Sequence, residues 1–303
     1  MKAISVRAPA KINLGLSVGP VREDGFHELA TVYLALDLHD VVRVTPREDE
    51  QITVDAYTRS QKSPDAGIPL GPDNLAVRAV ELLREATGVR AGLDLVIEKN
   101  IPVAGGMAGG SADAAAALVG ANVALELGLT RDDLEPLAAQ LGSDVPFLLH
   151  GGIAVGTGRG EQVMPVLARG RYSFLIAVSD TGLSTPEVYR EYDRLVPDPE
   201  PPGLSSELMT ALRSGDTELL SAFMVNDLEP AALSLRPELD EVLQCGLDAG
   251  AAAGIVSGSG PTCVFLLEPG DDVELMSVEL WDAPGVSAVV TAHGPAQGVR
   301  VIG

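Results

Sequence analysis

The sequence predicts an α+β protein of two domains, and three observations carry that expectation. Apolar residues alternate with the period of a strand at Ile4/Val6/Ala8, at Ile12/Leu14/Leu16/Val18 and at Leu93/Leu95/Ile97, while other stretches carry helix caps and helical composition. From about residue 164 the order becomes strand, helices, strand, strand, helix, strand, the pattern of an antiparallel sheet backed by helices. At 303 residues the chain is long enough for two cores, divided here as 1–163 and 164–303.

The elements follow from the residues in order. Segments 2–8 and 12–18 alternate and are joined by Pro9-Ala10-Lys11, which leaves Lys11 and Asn13 as polar positions facing away from the apolar set. An exposed charge at a strand end would look the same. Asp24-Gly25 marks a turn, strands are expected near 29–37, 40–46 and 51–57, and Ser60–Pro72 reads as a loop. Asp73 is placed to cap a helix over 74–87 that stops at Gly88. A helix from Ser111 to about Leu127 is Ala, Leu and Val on every side, so it should be buried, with Gly128 as its stop. Thr130 and Asp133 have capping-box spacing for a helix to Leu141, and Asp144 before Val145-Pro146 is equally readable as an N-cap. Further on, a strand is expected over Tyr172–Val178, a helix from Thr185-Pro186, helices over 205–224 and 237–250, a helix near 271–281 and a strand near 286–292.

Composition excludes several functions. A formal net charge of −22 repels nucleic acid and anionic membranes, and no apolar run reaches membrane-spanning length. Two cysteines, Cys245 and Cys263, and four scattered histidines lack metal-ligand spacing. The N-terminus has no signal-peptide core, and a reducing, cytoplasmic location is the expectation. Nothing in the sequence chooses between a monomer and a homodimer.

One stretch stands apart. Gly105, Gly106, Gly109 and Gly110 precede Ser111 and the alanine-rich helix. Glycine permits backbone dihedrals that aim successive N–H groups one way, and a helix N-terminus adds its positive dipole end, so the stretch reads as a cradle for the phosphates of a nucleotide. It is neither a Walker A loop, since no Gly-Lys-Ser/Thr follows, nor Gly-x-Gly-x-x-Gly. A tight turn before a helix is the alternative.

Three segments in order, Pro9–Leu16, Ile101–Ala112 and Ser257–Thr262, together resemble the three motifs of the GHMP superfamily of small-molecule kinases. Asp24–Leu29 and Leu141–Phe147 resemble the branch that phosphorylates a cytidine-diphosphate derivative of methylerythritol on the route to isoprenoid precursors. The resemblance implies an N-terminal domain with a left-handed β-α-β crossover, a ferredoxin-like C-terminal domain and a site in the cleft. It implies ATP as phosphoryl donor, Mg²⁺, and a small-molecule alcohol phosphorylated on its 2-hydroxyl. The sequence departs from the family loop where Ala104 and Ala108 replace glycine, Met107 replaces leucine and Ala112 replaces a second serine.

By the same resemblance, the nucleotide is held by Asn74, Lys99 and the loop residues Pro102, Val103, Ala104, Gly105, Gly106, Met107, Ala108, Gly109, Gly110, Ser111 and Ala112, with Ser111 near the phosphates or the metal. Asp144 takes the part of the base that accepts the hydroxyl proton, and Lys11 lies beside it. Such a pair suits phosphoryl transfer, because an ammonium next to the base favours the alkoxide and offsets charge on the transferred group. Phe26 and Tyr189 match positions that sandwich a cytosine, His27 reads its edge and Asn13 orients substrate, while Ser257–Thr262 buttresses the loop. A homoserine- or mevalonate-type kinase and a non-catalytic ligand-binding regulator are the rival readings.

Overall fold

The computed structural model describes residues 3–58, 68–103 and 105–302. Ala104 and part of the 60–72 loop therefore lie outside the described residues. Strand β1 (Ile4–Val21) runs antiparallel to β2 (His27–Pro46), each a single long strand where the sequence reading has two. Proline and glycine do not end β1. The chain absorbs them as register shifts between Pro9 and Lys11 and between Asn13 and Gly15.

After β3 (Ile52–Thr58) come helix α1 (Leu75–Thr87), strand β4 (Leu93–Lys99), and helices α2 (Gly109–Ala124), α3 (Arg131–Leu141) and α4 (Val145–His150), then β5 (Ile153–Gly158) and β6 (Gln162–Pro165). These strands form most of an eight-stranded sheet ordered β12-β1-β2-β4-β3, with β5 pairing β2 and β6, and with β8 on β1; β8 and β12 come from later chain. The β3–α1–β4 unit is parallel, and the other pairs within β1–β6 are antiparallel.

The later chain builds β7 (Tyr172–Ser179), α5 (Thr185–Leu195), α6 (Ser206–Ser214), α7 (Thr217–Phe223), β8 (Val225–Asn226), α8 (Glu229–Leu235), α9 (Glu238–Asp248), β9 (Ala253–Val256), β10 (Cys263–Leu267), α10 (Val273–Trp281), β11 (Val286–Gly294) and β12 (Arg300–Val301). Strands β11-β7-β10-β9 form the expected antiparallel sheet. The protein is thus a two-domain α+β fold of the expected class.

Helix α2 is buried nearly all round, as its composition predicts. Small side chains let it lie close on the sheet: a Cβ on Gly120 would stand 2.6 Å from Val44 Cγ2 and 3.2 Å from Val6 Cγ2. It starts at Gly109 and ends at Ala124, short of Gly128, because Asn122 folds back to exchange hydrogen bonds with the Leu129 backbone. Two other expectations are corrected. The cap of α1 is Asn74, whose side chain accepts from the Ala76 N–H, and not Asp73. The single helix expected over 205–224 is broken at Gly215, which takes φ 75°, and Asp216 caps the next helix by accepting from Leu219 N–H. Helix α8 was not expected at all.

Candidate active site

A cavity of about 890 Å³ opens where β1, the glycine loop, α4 and α5 meet. Lys11, Asn13, Phe26, His27, Asn74, Lys99, Pro102, Val103, Gly105, Gly106, Ala108, Gly109, Gly110, Ser111, Asp144 and Tyr189 all line it. Of the described residues expected at the site, only the side chains of Met107 and Ala112 turn away, and both are fully buried in the core.

Lys11 and Asn13 are not exposed strand-end polar residues: each is buried. Strand β1 is covered on both faces, so Ile12 and Leu14 enter the core while Lys11 and Asn13 enter the cleft. Lys11 Nζ donates to Asn13 Oδ1 at 2.8 Å and lies 3.6 Å from Asp144 Oδ1. Asn13 Nδ2 donates to Thr31 Oγ1 at 2.7 Å, and Thr31 donates on to Gly15 O at 2.8 Å. The ammonium also sits 5.4 Å above the Tyr33 ring, which stacks on Phe147 at 4.9 Å. Burial, and then the nearby Asp144 charge, raise the Tyr33 hydroxyl well above its ordinary pKa, so it stays protonated. Asp144 occupies the N-cap position of α4, but its side chain makes no cap hydrogen bond and remains turned to the cleft.

The glycine loop is clamped from two sides. Lys11 N–H donates to Met107 O at 3.2 Å, and Ser257 Oγ donates to Gly106 O at 3.4 Å. A Cβ on Gly106 (φ 71°) would stand 2.4 Å from Ser257 O, and one on Gly105 would stand 2.8 Å from Thr262 Oγ1, so only glycine lets the loop and the Ser257–Thr262 turn meet this closely. Asn226 secures that turn by donating to Val256 O and Gly258 O, each at 2.7 Å.

Past the clamp, Ala108 takes φ 59° and ψ 33°, the left-handed region in which a Cβ crowds its own backbone. The first intrahelical bond of α2 runs from Ala112 N–H to Ala108 O at 2.8 Å, so the amides of Gly109, Gly110 and Ser111 precede the ladder. Ala108→Gly is expected to raise the unfolding free energy by up to about 1 kcal/mol by removing the strain. A higher urea midpoint at constant slope checks this, and an unchanged or lower midpoint counts against the strained loop.

Lys99 is buried and shared between two carboxylates. Its Nζ contacts Asp40 Oδ2 and donates to Asp113 Oδ2 at 2.8 Å. Asp40 Oδ1 accepts from Asn100 and Ile101 N–H at 2.6 and 2.8 Å, pinning the start of the loop. Burial pulls the Lys99 ammonium pKa down, but Asp113 and Asp40 outweigh it and hold it above the ordinary value. Burial pushes the Asp113 carboxyl up to about 8, with Lys99 opposing and Asp40 adding to the rise. Among the described residues its Oδ1 has no hydrogen-bond partner.

The aromatic side chains gather on the other elements of the cleft. His27 Nε2 lies 2.8 Å from Asp193 Oδ1, and its ring packs on Tyr189 with centroids 4.9 Å apart and planes tilted by 30°. Phe26 is 52% exposed, and its ring carries the Arg159 guanidinium at 4.9 Å. Phe26 and Tyr189 therefore share the cavity while packing against different partners.

Residues 74–152 match the family model described as the GHMP kinases N terminal domain, and residues 208–284 match the GHMP kinases C terminal model. A 4-diphosphocytidyl-2-C-methyl-D-erythritol kinase of Rhodococcus jostii (strain RHA1) is 50% identical over 99% of this chain and 96% of its own. The chain belongs to the GHMP kinases. This GHMP kinase is therefore an ATP-dependent phosphotransferase. It is also similar to a crystal structure of 4-(cytidine 5'-diphospho)-2C-methyl-D-erythritol kinase, with TM-score 0.77 and 33% identity over 96% of this chain and 98% of that one. A homoserine kinase from Cytophaga hutchinsonii ATCC 33406 also reaches TM-score 0.77, covering 100% of this chain and 98% of its own, but at 21% identity that likeness speaks for the fold alone.

Sequence reasoning missed Thr31, Tyr33, Asp40, Asp113 and Asp193 in this GHMP kinase. Asp113 carried a signal, as the one charge inside the alanine-rich helix. Asp193 and Thr31 carried none, since their partners are 166 and 18 residues away.

Proposed function

We propose that this GHMP kinase transfers the γ-phosphoryl group of ATP to the 2-hydroxyl of 4-diphosphocytidyl-2-C-methyl-D-erythritol, on the route to isoprenoid precursors. The observation that carries the reading is one cavity holding a glycine loop, a Lys11–Asp144 pair and the Phe26, His27 and Tyr189 rings together. A small acid such as homoserine needs no aromatic platform, whereas a cytosine does.

The chemistry follows from the placement. The amides of the loop and of the α2 N-terminus receive the β-phosphate of ATP, where dipoles already point and need no reorganisation. Asn74 and Lys99 flank the nucleotide side. The substrate hydroxyl attacks the γ-phosphorus and gives its proton to Asp144, while the bond to the β–γ bridging oxygen breaks and ADP leaves. The Lys11 ammonium, 3.6 Å from Asp144 and held by Asn13, offsets charge at the reacting oxygens. Phe26 and Tyr189 hold the cytosine and His27 its edge.

Among the described residues, no group of three or more His, Cys, Asp or Glu side chains forms a metal cage. That fits Mg²⁺, which takes few protein ligands and is carried largely by phosphates. Ser111 Oγ, in the lining of the cleft and 3.9 Å from where a Gly142 Cβ would stand, is the hydroxyl that would hold it. Bound there, Mg²⁺ supplies charge neutralisation on the triphosphate. Both cysteines are free thiols, in keeping with a cytoplasmic location.

Coupled ADP release tests the reading. Turnover with the cytidyl substrate and none with mevalonate or homoserine is expected. Turnover of homoserine or mevalonate instead would move the protein to another GHMP activity, and release with none of the three would favour a non-catalytic regulator.

A further inference from the structure

A chain of net charge −22 must find local cations for a substrate that carries a diphosphate. Among the described residues, the lysines and arginines lining the cleft are Lys11, Lys99, Arg159 and Arg190. Lys11 is engaged with Asp144 and Asn13, and Lys99 with Asp40 and Asp113. Arg190 points largely to solvent beside Glu187 on its own helix.

Arg159 differs from the two lysines in that no described residue accepts a hydrogen bond from its guanidinium, and from the exposed Arg190 in being half-buried against a cleft ring. Its one carboxylate neighbour, Glu161 Oε2, is 3.9 Å from Nε and is already the acceptor for the Arg159 backbone N–H at 2.7 Å. The guanidinium lies 4.9 Å over Phe26, the exposed ring proposed for the cytosine. Its chain neighbour Gly160 accepts from the Tyr33 hydroxyl at 3.4 Å, and a Cβ there would stand 3.6 Å from Ser143 Cβ, next to Asp144. The Arg159 side chain thus adjoins the base platform, and its chain neighbour borders the reacting end. In a cytidine-diphosphate substrate, the group that joins those two ends is the diphosphate.

We infer that Arg159 is a specificity-determining residue, with its guanidinium backing Phe26 and its N–H fork binding the diphosphate of the substrate. The inference rests on the function proposed above. A planar fork can stack on a ring and still present paired donors at its edge, which a lysine ammonium cannot. Stacking also restrains an otherwise exposed Phe26, so the platform is set before the base arrives.

Initial-rate kinetics on the full chain test this, comparing wild type with Arg159→Ala and Arg159→Lys, and using CDP and cytidine as competitors of the cytidyl substrate. Arg159→Ala should raise KM for the cytidyl substrate about 10- to 100-fold, as loss of a charge-assisted contact does. Its kcat and its KM for ATP should stay within about twofold of wild type. CDP should outcompete cytidine in the wild type and lose that advantage in Arg159→Ala, with Arg159→Lys recovering part of it. A KM unchanged in Arg159→Ala overturns the inference, as does equal weakening of CDP and cytidine, which would leave Arg159 only a prop for Phe26. A wild type that does not turn over the cytidyl substrate overturns the functional reading and this inference with it.

Discussion

Asp144→Asn is expected to keep ATP binding and to lower kcat by about 10²–10⁴-fold, the usual worth of a general base. The substitution preserves shape and removes only the group that can take a proton. Lys11 keeps its 2.8 Å bond to Asn13, so the ammonium stays in place when the carboxylate goes. Asp144 caps nothing with its side chain, and helix α4 should therefore survive the change. Single-turnover rates with saturating ATP and cytidyl substrate measure the chemical step, and nucleotide titration measures binding. A kcat within a few-fold of wild type would strip Asp144 of the role. Loss of ATP binding with equal loss of kcat would make it a nucleotide or metal contact instead.

Lys99→Met is expected to cost about 3–5 kcal/mol of unfolding free energy, because it leaves Asp40 and Asp113 facing each other in the interior without their cation. The effect should appear in urea denaturation before any nucleotide is added. A variant of normal stability that has lost ATP affinity would make Lys99 a ligand contact first and a structural cation second.

The same trio sets a pH dependence. The folded Asp113 carboxyl keeps its proton up to about 8, against an ordinary value of 3.8. Between those values the folded state binds more protons than the unfolded one, so this group's contribution to stability is fullest at low pH and declines as pH rises through the window. Asp113→Asn has no proton to lose, and its stability should fall less than that of wild type between pH 5 and pH 8. Parallel profiles would show that Asp113 ionises without penalty.

How far the site could be read in advance depended on how local each cause was. The capping box of Thr130 and Asp133, the left-handed stop at Gly88 and the strand at Leu93–Lys99 each arise within a few residues and stand where their residues placed them, and the alanine helix is buried as its composition requires. The glycine loop and the Ser257–Thr262 turn were legible as motifs for the same reason. Element ends were less legible wherever a distant partner decided them. Asn122 closing on Leu129 shortens α2, and pairing along β1 and β2 carries both strands through Pro9 and Gly15.

The sequence by itself determined the α+β class, the kinase motifs and which side chains are proposed for the chemistry. Only the tertiary structure decided their surroundings. It buried Lys11 and Asn13 in the cleft, set Lys99 between two aspartates, and put Arg159 on Phe26. A motif records which groups a reaction needs, whereas burial and charge pairing depend on residues that meet only when the sheets and helices close around them.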